Sequence, residues 1–359
     1  GRARELLRAA TRLFSSREAV ARARCIVAEA EIALAGRDLT WTAKRLDAAR
    51  ETLERHGDAV NAAHARYLEI RRLLLVGKLD EAERALSKVP ARVPLPLKIG
   101  HELIVAQLAL RRLQPKVARA ALIRAGQAAQ RADIPALTAE VEAALEVLNT
   151  PAARRIAQGR ETLLLLDDVA ALFASQAFIV DGCRNLVRQR DTVISLATRP
   201  VLMTLVRALA EAWPDEAPRD ALVLRAFRLK LADESHRARL RVEIGRLRKL
   251  LRPLAAIEAT PRGFAVRPRH AREVVVLAQP VEDKHADVLA FLADGESWST
   301  SALAEALGAS QRTVQRSLDS LALAGKVQSF GRGRARRWIT PPVPGFTTLL
   351  LLPAALPTG

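Results

Sequence analysis

The chain has 359 residues, with 57 Lys and Arg against 39 Asp and Glu, a formal charge of +18. Half of the residues are apolar, which excludes a disordered tail or a fibrous protein and allows two or three domains with real cores. Two distant cysteines, Cys25 and Cys183, exclude a disulfide framework and a cysteine-based zinc site, and favour a reducing cytoplasm.

The chain opens Gly1-Arg2-Ala3 without a signal peptide, so its first residue reads as a scar or an internal start. The apolar runs 162–180 and 343–357 fail as membrane spans. The first carries Asp167 and Asp168, and the second is short and broken by prolines. A soluble cytoplasmic protein without a membrane partner is expected. Arginine supplies most of the basic residues, as a GC-rich genome alone would favour, but their placement is uneven. Residues 235–272 hold 11 basic and 2 acidic side chains, and residues 310–340 hold 7 and 1. Genome bias would spread the excess; two clusters ask for a local cause.

Residues 2–148 read as successive helices. Apolar positions recur at helical spacing, as in Leu46, Ala49 and Leu53. Breaks fall at 36–38, 56–58, 76–78 and at the prolines Pro90, Pro94 and Pro96. In YLEIRRLLLVGKLDEAERALSKVPARVP, Gly77 stands at the inter-helix turn, Ala82 and Leu86 face back, and Pro94 closes the unit. This hairpin resembles a tetratricopeptide repeat, and similar second helices begin near Ala43 and Ala118. A plain helical bundle is the alternative.

From Glu161 the texture changes. Short apolar or alternating runs at 163–166, 173–180, 185–187 and 192–196 predict a small antiparallel sheet. Helices follow at 200–212, 218–231 and 235–251, then a hairpin at 257–266 with its turn at Pro261-Arg262-Gly263, and a strand or linker at 269–282. Leu240, Ile244, Leu247 and Leu251 are spaced 4, 3 and 4, one buried stripe. His236, Arg237, Arg241 and Arg248 then project outward with Arg239 and Arg246 beside them, opposed by Glu243 alone.

The run Leu247-Arg248-Lys249-Leu250, followed by Arg262-Gly263-Phe264 after a small sheet, resembles the DNA-binding domain of OmpR-type response regulators over 178–268. In that family a long basic recognition helix precedes a hairpin containing RGxGY. Here Phe264 replaces the usual Tyr and the second Gly is absent. The resemblance implies a winged helix that places Lys249 and Arg262 with the other basic residues against DNA. No receiver domain precedes it, so control by phosphorylation is not expected.

A second helical set is predicted at 284–294, 299–307 and 310–324, with a hairpin at 326–340. The stretch TSALAEALGASQRTVQRSLDSLALAGKVQSFGRGRARRWI resembles a helix-turn-helix with a wing. Gly308 permits the sharp turn and Ser310 is placed to cap the second helix. Val314, Leu318 and Leu321 bury one face, leaving Gln311, Arg312, Thr313, Gln315 and Arg316 outward, where Arg reads guanine and Gln adenine. Arg332, Arg334, Arg336 and Arg337 crowd the wing, suited to phosphates or the minor groove.

Nothing recommends catalysis. Leu163–166 with Asp167 and Asp168 lacks a phosphate-cradling GxxxxGK[ST] loop, and the aspartates read as a turn or cap. The six histidines lack ligand spacing, no GxSxG elbow occurs, and Cys183 has no base nearby in sequence, so no metal and no cofactor are expected.

The expected fold is mainly α: a helical-hairpin, tetratricopeptide-like domain over 1–150, then two winged-helix α+β domains over 160–270 and 283–342, and a tail at 343–359. The expected function is a sequence-specific transcriptional regulator of double-stranded DNA, with a protein partner or self-association through 1–150. Alternatives are a protein-interaction scaffold, and binding to RNA or to DNA without sequence preference. Scarce aromatics near the basic clusters argue against single-strand stacking. Replacing Arg332 and Arg334 by Ala is expected to weaken binding to all duplexes alike and to flatten its salt dependence; unchanged affinity in a salt titration would remove the wing as a DNA contact.

Overall fold

A computed structural model of the chain describes residues 2–39, 43–89, 94–227, 234–279, 285–293, 296–331, 333 and 336–340. These fall into two compact units: Gly1–Asn149 together with Asp283–Pro344, and Thr150–Glu282. Helix dominates, with small sheets.

The first unit begins with α1 (Arg2–Leu13), α2 (Ala19–Ala35), α3 (Ala43–Arg55), α4 (Ala59–Leu75), α5 (Leu79–Leu86), α6 (Leu95–Arg111), α7 (Pro115–Ala132) and α8 (Pro135–Asn149). Each helix packs on its successor. Four of the breaks share one device. A residue with positive φ ends the helix, and the next amide reaches back five residues. Asp58 N donates to Leu53 O at 2.9 Å behind Gly57, and Lys78 N to Leu73 O at 2.9 Å behind Gly77. The same closure occurs at Arg37 and Leu113, where the left-handed residue is not glycine. Leu113 therefore left no break in the sequence pattern. Alanines on the facing sides, such as Ala118, Ala121 and Ala125 of α7, are buried and let neighbouring helices approach closely.

The second unit starts with β1 (Ala153–Ala157), β2 (Arg160–Leu164), α9 (Leu166–Ala174), β3 (Phe178–Asp181), β4 (Leu186–Gln189) and β5 (Thr192–Ser195). It continues through α10 (Pro200–Ala212), β6 (Ala217–Pro218), α11 (Arg219–Phe227), α12 (Glu234–Leu251), β7 (Ala255–Ala259), β8 (Gly263–Pro268) and β9 (Val274–Ala278). Six strands form one sheet in the order β2-β1-β9-β3-β4-β5, and a second sheet has the order β6-β8-β7.

The larger sheet departs from the expected one. It is mixed, because β9 pairs parallel with β3 and antiparallel with β1. It also reaches outside 160–270, since β1 precedes that span and β9, within the stretch read as strand or linker, follows it. Part of the apolar run at 162–180 is helical instead: Asp168 caps α9 by accepting from Leu165 N at 2.9 Å. In the core of the unit α10 packs on both sheets and α12 packs on α10 and β7, with Phe178, Val206, Leu209, Leu247, Val266 and Val276 buried together. Gly263 is required by close approach: a Cβ there would lie 1.8 Å from Ala217 O across the β6–β8 pairing.

The chain then returns to the first unit with α13 (Ala286–Leu292), α14 (Thr300–Leu307), α15 (Gln311–Leu323), β10 (Gln328–Phe330) and β11 (Arg337–Ile339). This segment was expected to stand as a separate domain, but it shares one core with the N-terminal helices. Val27, Leu46 and Leu53 belong to the same buried cluster as Val288, Leu303 and Trp338. Trp298 stands at the junction. It exchanges two backbone hydrogen bonds with Trp338, at 2.8 and 2.9 Å. Its ring meets Phe291 edge-on at 5.3 Å and lies 5.7 Å from the Arg37 guanidinium. Arg72 of α4 pairs with Glu305 of α14 at 2.6 Å.

Trp298→Ala removes a fully buried indole from this shared core and is expected to cost about 3–5 kcal/mol. Hydrogen exchange of the full chain should show α2 and α3 losing protection together with α14 and α15. Loss confined to α13–α15 would mean that the two parts fold separately.

Candidate functional site

Helix α12 carries the first basic cluster. Glu234 lies in its first turn and Arg248 with Lys249 in its last, charges that suit the helix dipole. The expected stripe is present: Leu240, Ile244, Leu247 and Leu251 are all buried. At 3.6 residues per turn this burial fixes the other azimuths. Ala238, Val242, Gly245 and Lys249 lie opposite the stripe and are exposed. Arg237, Arg241 and Arg248 form a row on one side of them, and Arg239 with Arg246 a row on the other.

The basic side chains are not idle. Arg237 pairs with Asp220 of α11 at 3.1 Å and Arg241 with Glu234 at 3.1 Å. Arg246 pairs with Glu243 at 2.8 Å. Arg248 donates to Ile257 O at 2.7 Å, while Arg239 lies 4.4 Å from the Phe227 ring centroid. His236, expected to project, is half-buried with its ring 6.3 Å from that of Phe227. Arg262, at the β7–β8 turn, pairs with Glu216 at 2.5 Å. Hydrogen bonds from Thr260 and Arg262 hold the Glu216 carboxyl below its usual range. Glu243 is therefore not the sole opposing acid: Asp220 and Glu216 come from other elements and Glu234 from the helix start. Exposed pairs of this kind are worth about 0–1 kcal/mol each, so a phosphate can replace the carboxylate.

Between the start of α10 and the end of α12 lies a groove of about 750 Å³, lined by Arg199, Val201, Leu202, Arg246, Lys249 and Leu250 among others. The side chains of Arg199 and Lys249 make no ion pair or hydrogen bond among the described residues. Sequence reasoning missed Arg199; its only signal was a cation directly before Pro200, a proline placed to start a helix.

The second cluster sits on α15. Gly308 ends α14 with φ 63, and its need is conformational, since no atom lies within 4 Å of a Cβ built there. Ser310 caps α15, its hydroxyl accepting from Thr313 N at 3.2 Å. Val314, Leu318 and Leu321 are buried as expected. Gln311, Arg312, Thr313 and Arg316 are exposed at the helix start. Gln315 is not free to face outward: it accepts from Thr300 at 3.1 Å and donates to Asp319 at 2.8 Å. In the hairpin, Arg336 stacks 4.2 Å from the Trp338 ring centroid and donates to Ser329 at 3.2 Å, and Arg337 is half-buried. Arg332 and Arg334 lie outside the described residues.

Among the N-terminal helices, a cavity of about 580 Å³ is lined by side chains of α3, α4, α5 and the turn after α5, including Arg50, Arg66, Glu69 and Lys88. Its charges largely neutralise one another: Arg50 and Arg66 both hold Glu54. Glu69 has no such partner among the described residues, and burial raises its carboxyl above the usual range. Elsewhere, burial pushes the Cys183 thiol well up, which makes it a poor nucleophile. No group of three or more metal-ligating side chains occurs among the described residues. No helix among them is long and apolar enough to cross a membrane. Neither a protein-family model, nor a curated protein, nor a solved structure matches this chain.

Proposed function

We propose that the chain is a transcriptional regulator that binds double-stranded DNA through α12 and α15. The observation that carries this reading is the outer face of α12. A helix with Ala238, Val242 and Gly245 outermost, Lys249 at its end and arginine rows on both sides fits a major groove walled by phosphates. Exposed Arg312 and Arg316 at the start of α15 support a second contact of the same kind.

On this reading α10–α12 with the β6-β8-β7 sheet form an OmpR-type winged helix. Segments α13–α15 with the β10–β11 hairpin form a second one, carried on tetratricopeptide-like hairpins in the N-terminal region. The second winged helix then moves with those hairpins as one body, because they share a core. Anything that binds the hairpins acts on the body that presents α15. The proposed location is the cytoplasm.

Duplex binding measured between about 50 and 200 mM salt tests the reading, since affinity should fall steeply as arginines release counterions. Arg312→Ala is expected to cost roughly 1–3 kcal/mol on the preferred duplex and much less on random DNA, if Arg312 reads a base. Equal losses on both would reduce Arg312 to a phosphate contact. Absence of any duplex binding at low salt, with another protein co-purifying, would favour a scaffold instead.

Glu234→Gln removes the acid that engages both Arg237 and Arg241. It is expected to tighten binding to every duplex by about fivefold, the equivalent of about 1 kcal/mol. Weaker binding would mean that Glu234 is needed to hold the arginines in place.

A further inference from the structure

Val242 is the one large apolar side chain on the solvent face of α12, 55% exposed at mid-helix. The fold gains little from it there. A β-branched residue at an exposed helix position is less favourable than Ala by up to about 0.7 kcal/mol, and its methyls face water. Its neighbours on the same face, Ala238 and Gly245, reach no further than a Cβ. The two methyls of Val242 therefore stand proud of the helix between Arg239 and Arg246 on one side and Arg241 and Arg248 on the other. Glu243, the adjacent acid, is turned aside to Arg246 with its side chain largely covered.

A surface that is apolar at its centre and cationic at both edges asks for a complementary ligand: an apolar group set between two lines of anions. In the major groove of a duplex, base edges offer hydrogen-bonding groups at every pair but only one apolar group, the C5-methyl of thymine. We infer that α12 selects its target by packing Val242 against thymine methyls, while the arginine rows hold the phosphates and flanking bases. The inference rests on the DNA-binding reading and adds to it the base that the module requires. It places the selective position at the middle of the helix.

The test uses the full chain. Its preferred duplex is obtained by selection from random sequences, and each thymine is then replaced singly by uracil, which deletes the C5-methyl and leaves base pairing intact. At least one replacement is expected to weaken binding about fourfold, the loss carried by one buried methyl. Val242→Ala, a good helix former that should fold normally, is expected to bind thymine and uracil duplexes equally, at the wild-type level for uracil. If every replacement is neutral, or if Val242→Ala keeps the full preference for thymine, the inference is overturned while the DNA-binding reading stands. If the chain binds no duplex at low salt, both fall.

Discussion

The burial of four side chains, Leu240, Ile244, Leu247 and Leu251, sets the geometry of the second unit. Each is worth on the order of 1.5–3 kcal/mol when taken from water into the core. The ion pairs around α12 are worth about 0–1 kcal/mol each. The apolar stripe therefore decides how the helix is rotated, and the pairs only trim where each arginine rests. From that rotation follow the outward line of Ala238, Val242 and Gly245 and the arginine rows beside it. The same burial draws β7 and β8 onto the helix, where Arg248 hydrogen-bonds Ile257 O and lies 5.7 Å from the Phe264 ring centroid.

In the first unit the corresponding constraint is Trp298. Its backbone extends the β10–β11 pairing by one bridge, and its ring belongs to a core that also holds Leu46 and Leu53. One residue thus ties the hairpin after α15 to the N-terminal helices. Trp338 joins it, buried and donating through Nε1 to Thr300 at 3.2 Å. Thr300 in turn donates to Gln315, so a side chain at the start of α14 fixes one on α15. The exposed start of α15 rests on this chain of contacts, not on the helix alone.

Much of this was legible in the sequence because it is periodic or punctuated. The stripes at 240–251 and 314–321, the cap at Ser310 and the breaks at Gly57 and Gly77 were readable from spacing and residue type. What escaped was non-local or unpunctuated. Arg37 and Leu113 adopt left-handed backbone without being glycine. The apolar run Val274–Ala278 is buried throughout and carries no mark of which strands flank it. Around α9, a short apolar run fitted helix or strand equally, and only the Asp168 cap separates them. The partners of Arg237, Arg262 and Gln315 lie 17, 46 and 15 residues away, beyond any local tally of charge.

That last point changes the meaning of the net charge. Counted along the chain, residues 235–272 carry a large local excess of positive charge, but folding brings Glu216 and Asp220 onto the same surface. The arginines they engage are held by these pairs, so on the proposed reading less side-chain entropy would be lost when a phosphate took the place of the carboxylate. Such a surface gives up part of its raw attraction for any polyanion and gains discrimination in return. On the DNA-binding reading, an acid left behind would penalise a poorly fitted duplex, whereas a well-fitted one would place phosphates where the carboxylates stood. On the same reading Lys249 and Arg199, whose side chains have no such partners among the described residues, would supply the part of the attraction that needs no exchange.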